Sequence, residues 1–366
     1  MKLLAEVILF AIPMVLLAWT LPRRYVLISQ IAVTGLFIGY KSPLSLLILT
    51  IVTLGNYYLI HKAELNKSIK IAISLCVLIA LIVSAKILFT IHDHWIIPLG
   101  MSYYIFRNIH YTVESYHGRI QNDSLLFYLA YNFFLPVLII GPINRYPEFI
   151  RDWQRRRMNT DYFSLGLQRI LFGISKIVII GNYLLTSKGG AFISGLDANH
   201  DWLRAYLETI VLVLNAYFQF AGYSDIAIGI SLLLGFRIME NFNFPFLASN
   251  MQEFWSKYHM SLSAFCRDYI YTPIASYYRK PMLGIIATMV IIGLWHEITL
   301  PFLLWGLFQA AGIYAASLTK NLPTSMVSRN LGRVFVFNYF CLSCVIIDYE
   351  HLGKALEVYK TLFFIN

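Results

Sequence analysis

The chain has 366 residues, of which 58% are apolar, 16% aromatic and only 13% charged, whereas ordinary soluble domains are about 45–50% apolar and about 25% charged. A soluble chain of this size cannot cover so much apolar surface, which excludes a soluble globular enzyme, and the aromatic content excludes disorder. Lys and Arg number 29 against 19 Asp and Glu, a formal net charge of +10; the basic residues gather in loops between apolar stretches, as in a membrane protein obeying the positive-inside rule rather than a nucleic-acid binder.

A bilayer-crossing helix needs about 20 mostly apolar residues. Residues 3–21 carry only Glu6. They are read as a retained helix and not a signal peptide, because no small-residue cleavage site follows and Leu21-Pro22-Arg23-Arg24 leads into the next apolar run, 25–40. Residues 42–60 are uncharged, 71–91 carry only Lys86, 125–143 are uncharged, and 163–185 include Arg169 and Lys176. Runs 282–295 and 334–347 are short, and 298–319 is long and uncharged. Nine to eleven membrane segments are expected. No repeat, low-complexity tract or linker divides the chain, so a single domain over residues 1–366 is expected.

The basic loops orient the chain. Arg145, Arg151, Arg155, Arg156 and Arg157 form the densest cluster, Lys257, Arg267, Arg279 and Lys280 another, and both should face the cytoplasm, with Arg23 and Arg24 placing the N-terminus outside. Counting then conflicts: if 95–109 crosses fully, 125–143 delivers Arg145 to the wrong side. One of the two is expected to be re-entrant, which is tolerated only where backbone is buried in protein or lines a watery cavity.

Ionisable groups in apolar surroundings are costly and tend to be functional. Asp225 interrupts the otherwise uncharged run 209–236; it reads either as a structural carboxylate, paired with an Arg such as Arg237 or capping the following helix, or as a participant in chemistry. Residues 241–271 hold too many polar groups for a span and too many aromatics for a solvated loop. A helix over 251–268 would place Trp255, His259, Ser263 and Arg267 on one face and Phe254, Tyr258, Leu262, Phe265 and Tyr269 on another, either a site wall or an interfacial helix. In Gly293-Leu294-Trp295-His296-Glu297 an imidazole falls between two uncharged runs, as a hydrogen-bonded core group or as a reacting one.

Several chemistries fail on the residues. His296-Glu297 opens like the zinc motif H-E-x-x-H, but position 300 is Leu; a G-x-S-x-G elbow would need Gly at 226, where Ile stands; and no phosphate-binding G-x-x-x-x-G-K-[ST] occurs. His92-Asp93-His94, beside Trp95, reads as a polar turn rather than a metal site. Cys341 and Cys344 lie inside an uncharged run and read as small apolar helix residues, not a redox pair.

From Gln219 through Gly306 the chain resembles the membrane-bound O-acyltransferases, in particular the bacterial branch of alginate and peptidoglycan O-acetyltransferases and teichoic-acid D-alanyl transfer proteins. The matching pieces are Gly222-Tyr223-Ser224-Asp225, Gly235-Phe236-Arg237, Asn241-Phe242-Asn243-Phe244-Pro245-Phe246, Phe254-Trp255, His259-Met260-Ser261-Leu262-Ser263, Arg267-Asp268-Tyr269, Gly293-Leu294-Trp295-His296 and Trp305-Gly306. Ser102-Tyr103-Tyr104-Ile105-Phe106-Arg107 and Gly141-Pro142-Ile143-Asn144-Arg145 match more weakly, so the motif-bearing core runs from about residue 100 to 306. Glu297 stands where relatives usually have a small residue, and Ser256-Lys257-Tyr258 where they have basic or bulky ones.

The resemblance implies an all-α integral membrane protein, a ring of about nine to eleven transmembrane helices with re-entrant and interfacial helices around a central tunnel. It implies His296 as the catalytic histidine and His259 as its second polar residue. Asn241, Trp255, Ser263, Arg267, Tyr223, Asp225 and Trp295 are the candidate substrate-binding positions; no metal and no bound cofactor are expected. The implied reaction is acyl transfer, acetyl foremost, from a cytoplasmic thioester co-substrate, acetyl-CoA or an acyl carrier protein, to a hydroxyl of an envelope polysaccharide or glycolipid. The implied setting is the bacterial inner (cytoplasmic) membrane, with lipid and envelope-biosynthesis proteins as partners and no nucleic acid. D-alanyl transfer to teichoic acid is the alternative enzyme reading, and a non-enzymatic transporter or lipid-handling channel the alternative of another class.

Overall fold

The computed structural model describes residues 2–91, 97–120, 124–157, 159–197, 200–318, 325–349 and 351–364, all of whose regular elements are helices. His92-Asp93-His94 and Trp95 lie outside the described residues. The chain forms two compact units, each built from separate stretches of sequence: residues 1–173 with 223–239, and residues 174–222 with 240–366.

In chain order the first helices are α1 (Lys2–Thr20), α2 (Arg23–Lys41), α3 (Pro43–His61), α4 (Lys67–Ile91), α5 (Met101–Tyr116), α6 (Leu125–Asn132) and α7 (Tyr146–Arg155). Next, α8 (Thr160–Ser175) runs through a π-helical stretch, Lys176–Gly189, into α9 (Gly190–Ser194), and is followed by α10 (Asp201–Leu233). Among the described residues six helical runs are long and apolar enough to cross a membrane: Pro43–His61, Lys67–Ile91, Thr160–Ser194, Asp201–Leu233, Leu300–Leu318 and Met326–Asp348; Leu4–Thr20 and Pro281–His296 are shorter apolar helices.

Two expected segments take a different form. The run 125–143 is not one span: α6 stops at Asn132, and a single 3-10 turn, Leu135–Val137, follows around Pro136, because proline lacks the amide hydrogen that would continue the helix. The carbonyls freed by this break are taken up by Arg107, fully buried in α5, whose guanidinium donates to Tyr131 O at 2.8 Å, to Asn132 O at 3.2 Å and to Val137 O. The break at Pro136 lies in one of the two segments between which the orientation conflict arose, and its backbone is buried in protein. The run 334–347 extends N-terminally to Met326, where the Ser325 hydroxyl caps the helix by accepting from Ser328 N.

Asp225 belongs to the first unit. There α8 and the end of α10 cross at glycines: a Cβ on Gly166 would lie 2.9 Å from Gly229 O, and one on Gly229 2.6 Å from Gly166 O. About one turn from that crossing, Arg169 Nη1 meets Asp225 Oδ1 at 3.2 Å. Asp225 is thus paired, with Arg169 in the place expected for Arg237, whose backbone N–H instead reaches Asp152 at 2.9 Å.

The second unit continues with α11 (Met251–Lys257) and α12 (Met260–Cys266), which passes through a π turn, Arg267–Tyr271, into α13 (Thr272–Tyr278). After these come α14 (Pro281–His296), α15 (Leu300–Leu318), α16 (Met326–Asp348) and α17 (Leu352–Phe363). α14 and α15 form a tight hairpin in which glycine is required, since a Cβ on Gly293 would lie 2.3 Å from Phe302 O and one on Gly306 2.6 Å from Met289 O. Backbone-to-backbone contact of this kind is how helices associate where lipid removes the hydrophobic driving force. It sets the position of His296 in the last turn of α14.

Candidate functional site

The expected continuous helix over 251–268 is interrupted. His259 lies between α11 and α12 in the left-handed region, at φ 46° and ψ 53°, a conformation costly for a residue with a Cβ and sustained only where neighbours over-determine it. The neighbours here are residues 241–243. Asn243 N donates to Lys257 O at 3.0 Å and Met260 N to Asn241 O at 2.8 Å, so this segment supplies hydrogen bonds that the helix break removes.

The Asn241 side chain then sets the state of His259. Its Oδ1 accepts from Ser261 N at 3.3 Å and from Ser261 Oγ at 2.9 Å, and lies 3.1 Å from His259 Nδ1. A backbone amide can only donate, so the Asn241 atom is an acceptor and His259 Nδ1 carries the proton. Nε2 is left with its lone pair and has no hydrogen-bond partner among the described residues. Burial first, and the nearby His296 ring second, hold the His259 pKa down at about 3; the imidazole is neutral across the physiological range.

His259 and His296 line one cavity of about 300 Å³ in the second unit. Its walls are Phe220, Ala216 and Leu212 of α10, Trp255 and Tyr258, Ile292, Trp305, and Phe340 and Cys344 of α16, and it reaches Asp348, an exposed carboxylate at the end of α16. The rings surround the imidazoles at fixed angles. His259 meets Phe220 edge-on at 4.7 Å and Trp295 at 6.2 Å, while His296 stacks on Phe302 at 5.9 Å and meets Trp305 edge-on at 5.9 Å. Behind the wall, Trp255 Nε1 donates to Gln309 Oε1 at 3.3 Å and Gln309 Nε2 to Ser343 Oγ at 2.7 Å. That buried chain locks the indole in place.

Of the positions expected from sequence, the structure gathers His296, His259 and Trp255 on the cavity, with Asn241 holding His259 and Trp295 packed against both imidazoles. It does not bring the others there. Ser263 Oγ donates to Tyr258 O at 3.2 Å, and Arg267 is exposed and paired with Asp268 at 3.1 Å; the break at His259 ends the four-residue stripe that joined them to the histidines. Tyr223 and Asp225 belong to the first unit, where Tyr223 lines a separate narrow apolar pocket with Leu135 and Ile226. Asp348, Phe220 and Gln309 escaped the sequence reading. A lone amide in the uncharged run 298–319 was the available signal for Gln309. Among the described residues no cluster of three or more His, Cys, Asp or Glu could hold a metal.

Helical runs of spanning length and a largely apolar cavity holding two imidazoles define a multi-pass helical membrane protein with a buried polar site. Its family follows from comparison with known proteins: the family model described as MBOAT, membrane-bound O-acyltransferase family, matches residues 80–347, and the chain belongs to that family. It is 32% identical over 275 residues to a probable alginate O-acetylase of Azotobacter vinelandii, covering 74% of this chain and 54% of the relative. It is 28% identical to a peptidoglycan O-acetyltransferase of Helicobacter pylori (75% and 58%) and 28% identical to a teichoic acid D-alanyltransferase of Bacillus subtilis (66% and 66%). The alignments thus cover about half to two thirds of these relatives.

Proposed function

We propose that the protein is an O-acyltransferase of the bacterial cytoplasmic membrane that moves an acyl group, acetyl foremost, from a cytoplasmic thioester to a hydroxyl of an envelope polysaccharide or glycolipid. The observation that carries this reading is the pair His296 and His259 on one mostly apolar cavity, in a chain of this family. In this reading the cavity is the meeting point of a tunnel that admits the donor from one face and the acceptor from the other.

His296 takes the proton of the acceptor hydroxyl as its oxygen attacks the thioester carbonyl. The tetrahedral intermediate expels the thiolate, which recovers the proton from the imidazolium, leaving an ester and a free thiol. A positioned base contributes about 100- to 10,000-fold. His259 is too weakly basic for that task and, with Nδ1 donating to Asn241, offers a lone pair and no proton. Its role is therefore to orient the acceptor by accepting a hydrogen bond from a second, non-reacting hydroxyl of the glycan, and not to donate to the oxyanion. No metal and no covalent enzyme intermediate enter these steps.

The test is transfer of label from acetyl-CoA to extracted envelope glycan by the full chain in lipid. Transfer by the wild type and its loss in His296→Ala, with folding intact, is expected; equal transfer by both would reject the assigned base. D-alanyl transfer is the second reading, favoured by the similarity to teichoic acid D-alanyltransferases; it requires label to move only from a charged carrier protein. Ion flux without any acyl transfer would reject both.

A further inference from the structure

The densest arginine cluster of the sequence is left unused by the acyl-transfer reading. In the first unit, Arg151, Arg155, Arg157 and Arg237 line a cavity of about 720 Å³, within the range of small-molecule sites. The same loop holds an arginine put to structural use. Arg156 donates to Leu234 O at 2.8 Å and Ala18 O at 2.6 Å and lies over the Trp19 ring. Gly235, at φ 84°, turns the chain there and carries Arg237 to the cavity.

The single carboxylate among the described residues of this cavity, Asp152, is already engaged by Arg151 at 3.0 Å and by the backbone N–H of Arg237. Arg155, Arg157 and Arg237 have no carboxylate partner among the described residues. Charge that served only to orient the chain would need a loop, not three un-neutralised guanidinium groups converging on one hollow. α7 buries Tyr146, Phe149, Ile150 and Trp153 within the first unit and leaves Arg151 and Arg155 exposed, so its apolar face anchors the helix while its arginines line the cavity.

We infer that this basin binds a phosphate group carrying two negative charges or a diphosphate. Guanidinium forks match phosphate oxygens in pairs, and several un-neutralised charges in one hollow suit a multiply charged group better than the single charge per sugar of a uronate chain. The phosphate has two possible sources, an anionic phospholipid headgroup or the soluble phosphoester of a nucleotide-like donor such as CoA.

The test uses the full chain and measures binding without turnover, so its outcome is independent of the proposed reaction. CoA is titrated onto protein in detergent at low and high salt, and retention of phosphatidylglycerol is measured by native mass spectrometry from nanodiscs. The variant Arg155→Gln/Arg157→Gln/Arg237→Gln is compared with Arg329→Gln/Lys354→Gln/Lys360→Gln, which removes the same charge elsewhere. A tenfold or greater loss of CoA binding in the first variant alone supports a soluble phosphate, and the same loss of phosphatidylglycerol alone supports a headgroup. Equal losses in both variants, or no loss of either ligand in the first, would overturn the inference. If the glutamine variant fails to fold, the triple lysine variant and Arg237→Gln alone carry the same comparison.

Discussion

Asn241 Oδ1 and His259 Nδ1 lie 3.1 Å apart across a break between two short helices, and the same oxygen accepts from Ser261 N and Ser261 Oγ. One side-chain atom thereby caps a helix and selects a histidine tautomer. Asn241→Ala should lower acyl transfer about tenfold or more without removing either imidazole. Asn241→Asp should restore the acceptor and raise the His259 pKa, because a carboxylate favours the imidazolium. Ring-nitrogen NMR shifts across pH 4–8 would separate the two; an unchanged tautomer in Asn241→Ala counts against the assignment.

The depressed pKa of His259 makes stability depend on pH in a definite direction. Unfolded, the imidazole titrates at about 6.5; folded, it is held at about 3 by burial foremost. Below about pH 6 the unfolded chain binds the proton and the folded one does not, so the contribution is complete above 6.5 and is lost as pH falls toward 3, at about 1.4 kcal/mol per pH unit. Thermal unfolding in detergent at pH 7, 6, 5 and 4 should show a shallower decline in His259→Gln than in the wild type.

Gly293→Ala should displace His296. The added methyl would lie 2.3 Å from Phe302 O, forcing α14 and α15 apart, and a shift of about 1 Å at a reacting group can cost about 100-fold. Gly55→Ala in α3, where nothing lies within 4 Å of the new atom, should instead be stabilising by about 0.5–1 kcal/mol with activity unchanged. Parallel assays and melting curves of the two variants make the comparison.

Arg107→Met should destabilise the first unit by about 3 kcal/mol or more, since three carbonyls lose their donor inside the protein. Arg107→Lys should recover only part of this, as one ammonium cannot match the fork. Denaturation midpoints rank the three proteins, and an order other than wild type, Lys, Met would contradict the role given to Arg107.

Asp225→Asn should lower stability while leaving the pH profile of acyl transfer in place, because its partner is Arg169 and not a reacting group. A loss of activity at unchanged melting temperature would return Asp225 to the chemistry.

The amino-acid sequence by itself determined that this chain belongs in lipid, because apolar content adds up residue by residue and needs no knowledge of neighbours. It also marked His296, the glycines flanking it and His259, as motifs local enough to be read in one dimension. The tertiary structure decided the rest. Periodicity extended a helix through His259, since a break is visible only with the segment 241–243 that satisfies it. It could not choose Arg169 over Arg237 for Asp225, a choice made where glycines let two helices touch. Hydrogen bonds join residues far apart in the chain: Asn241 to His259, Arg107 to the carbonyls near Pro136, Gln309 to Ser343. Desolvation makes each such pairing obligatory once buried, and only folding selects the partner.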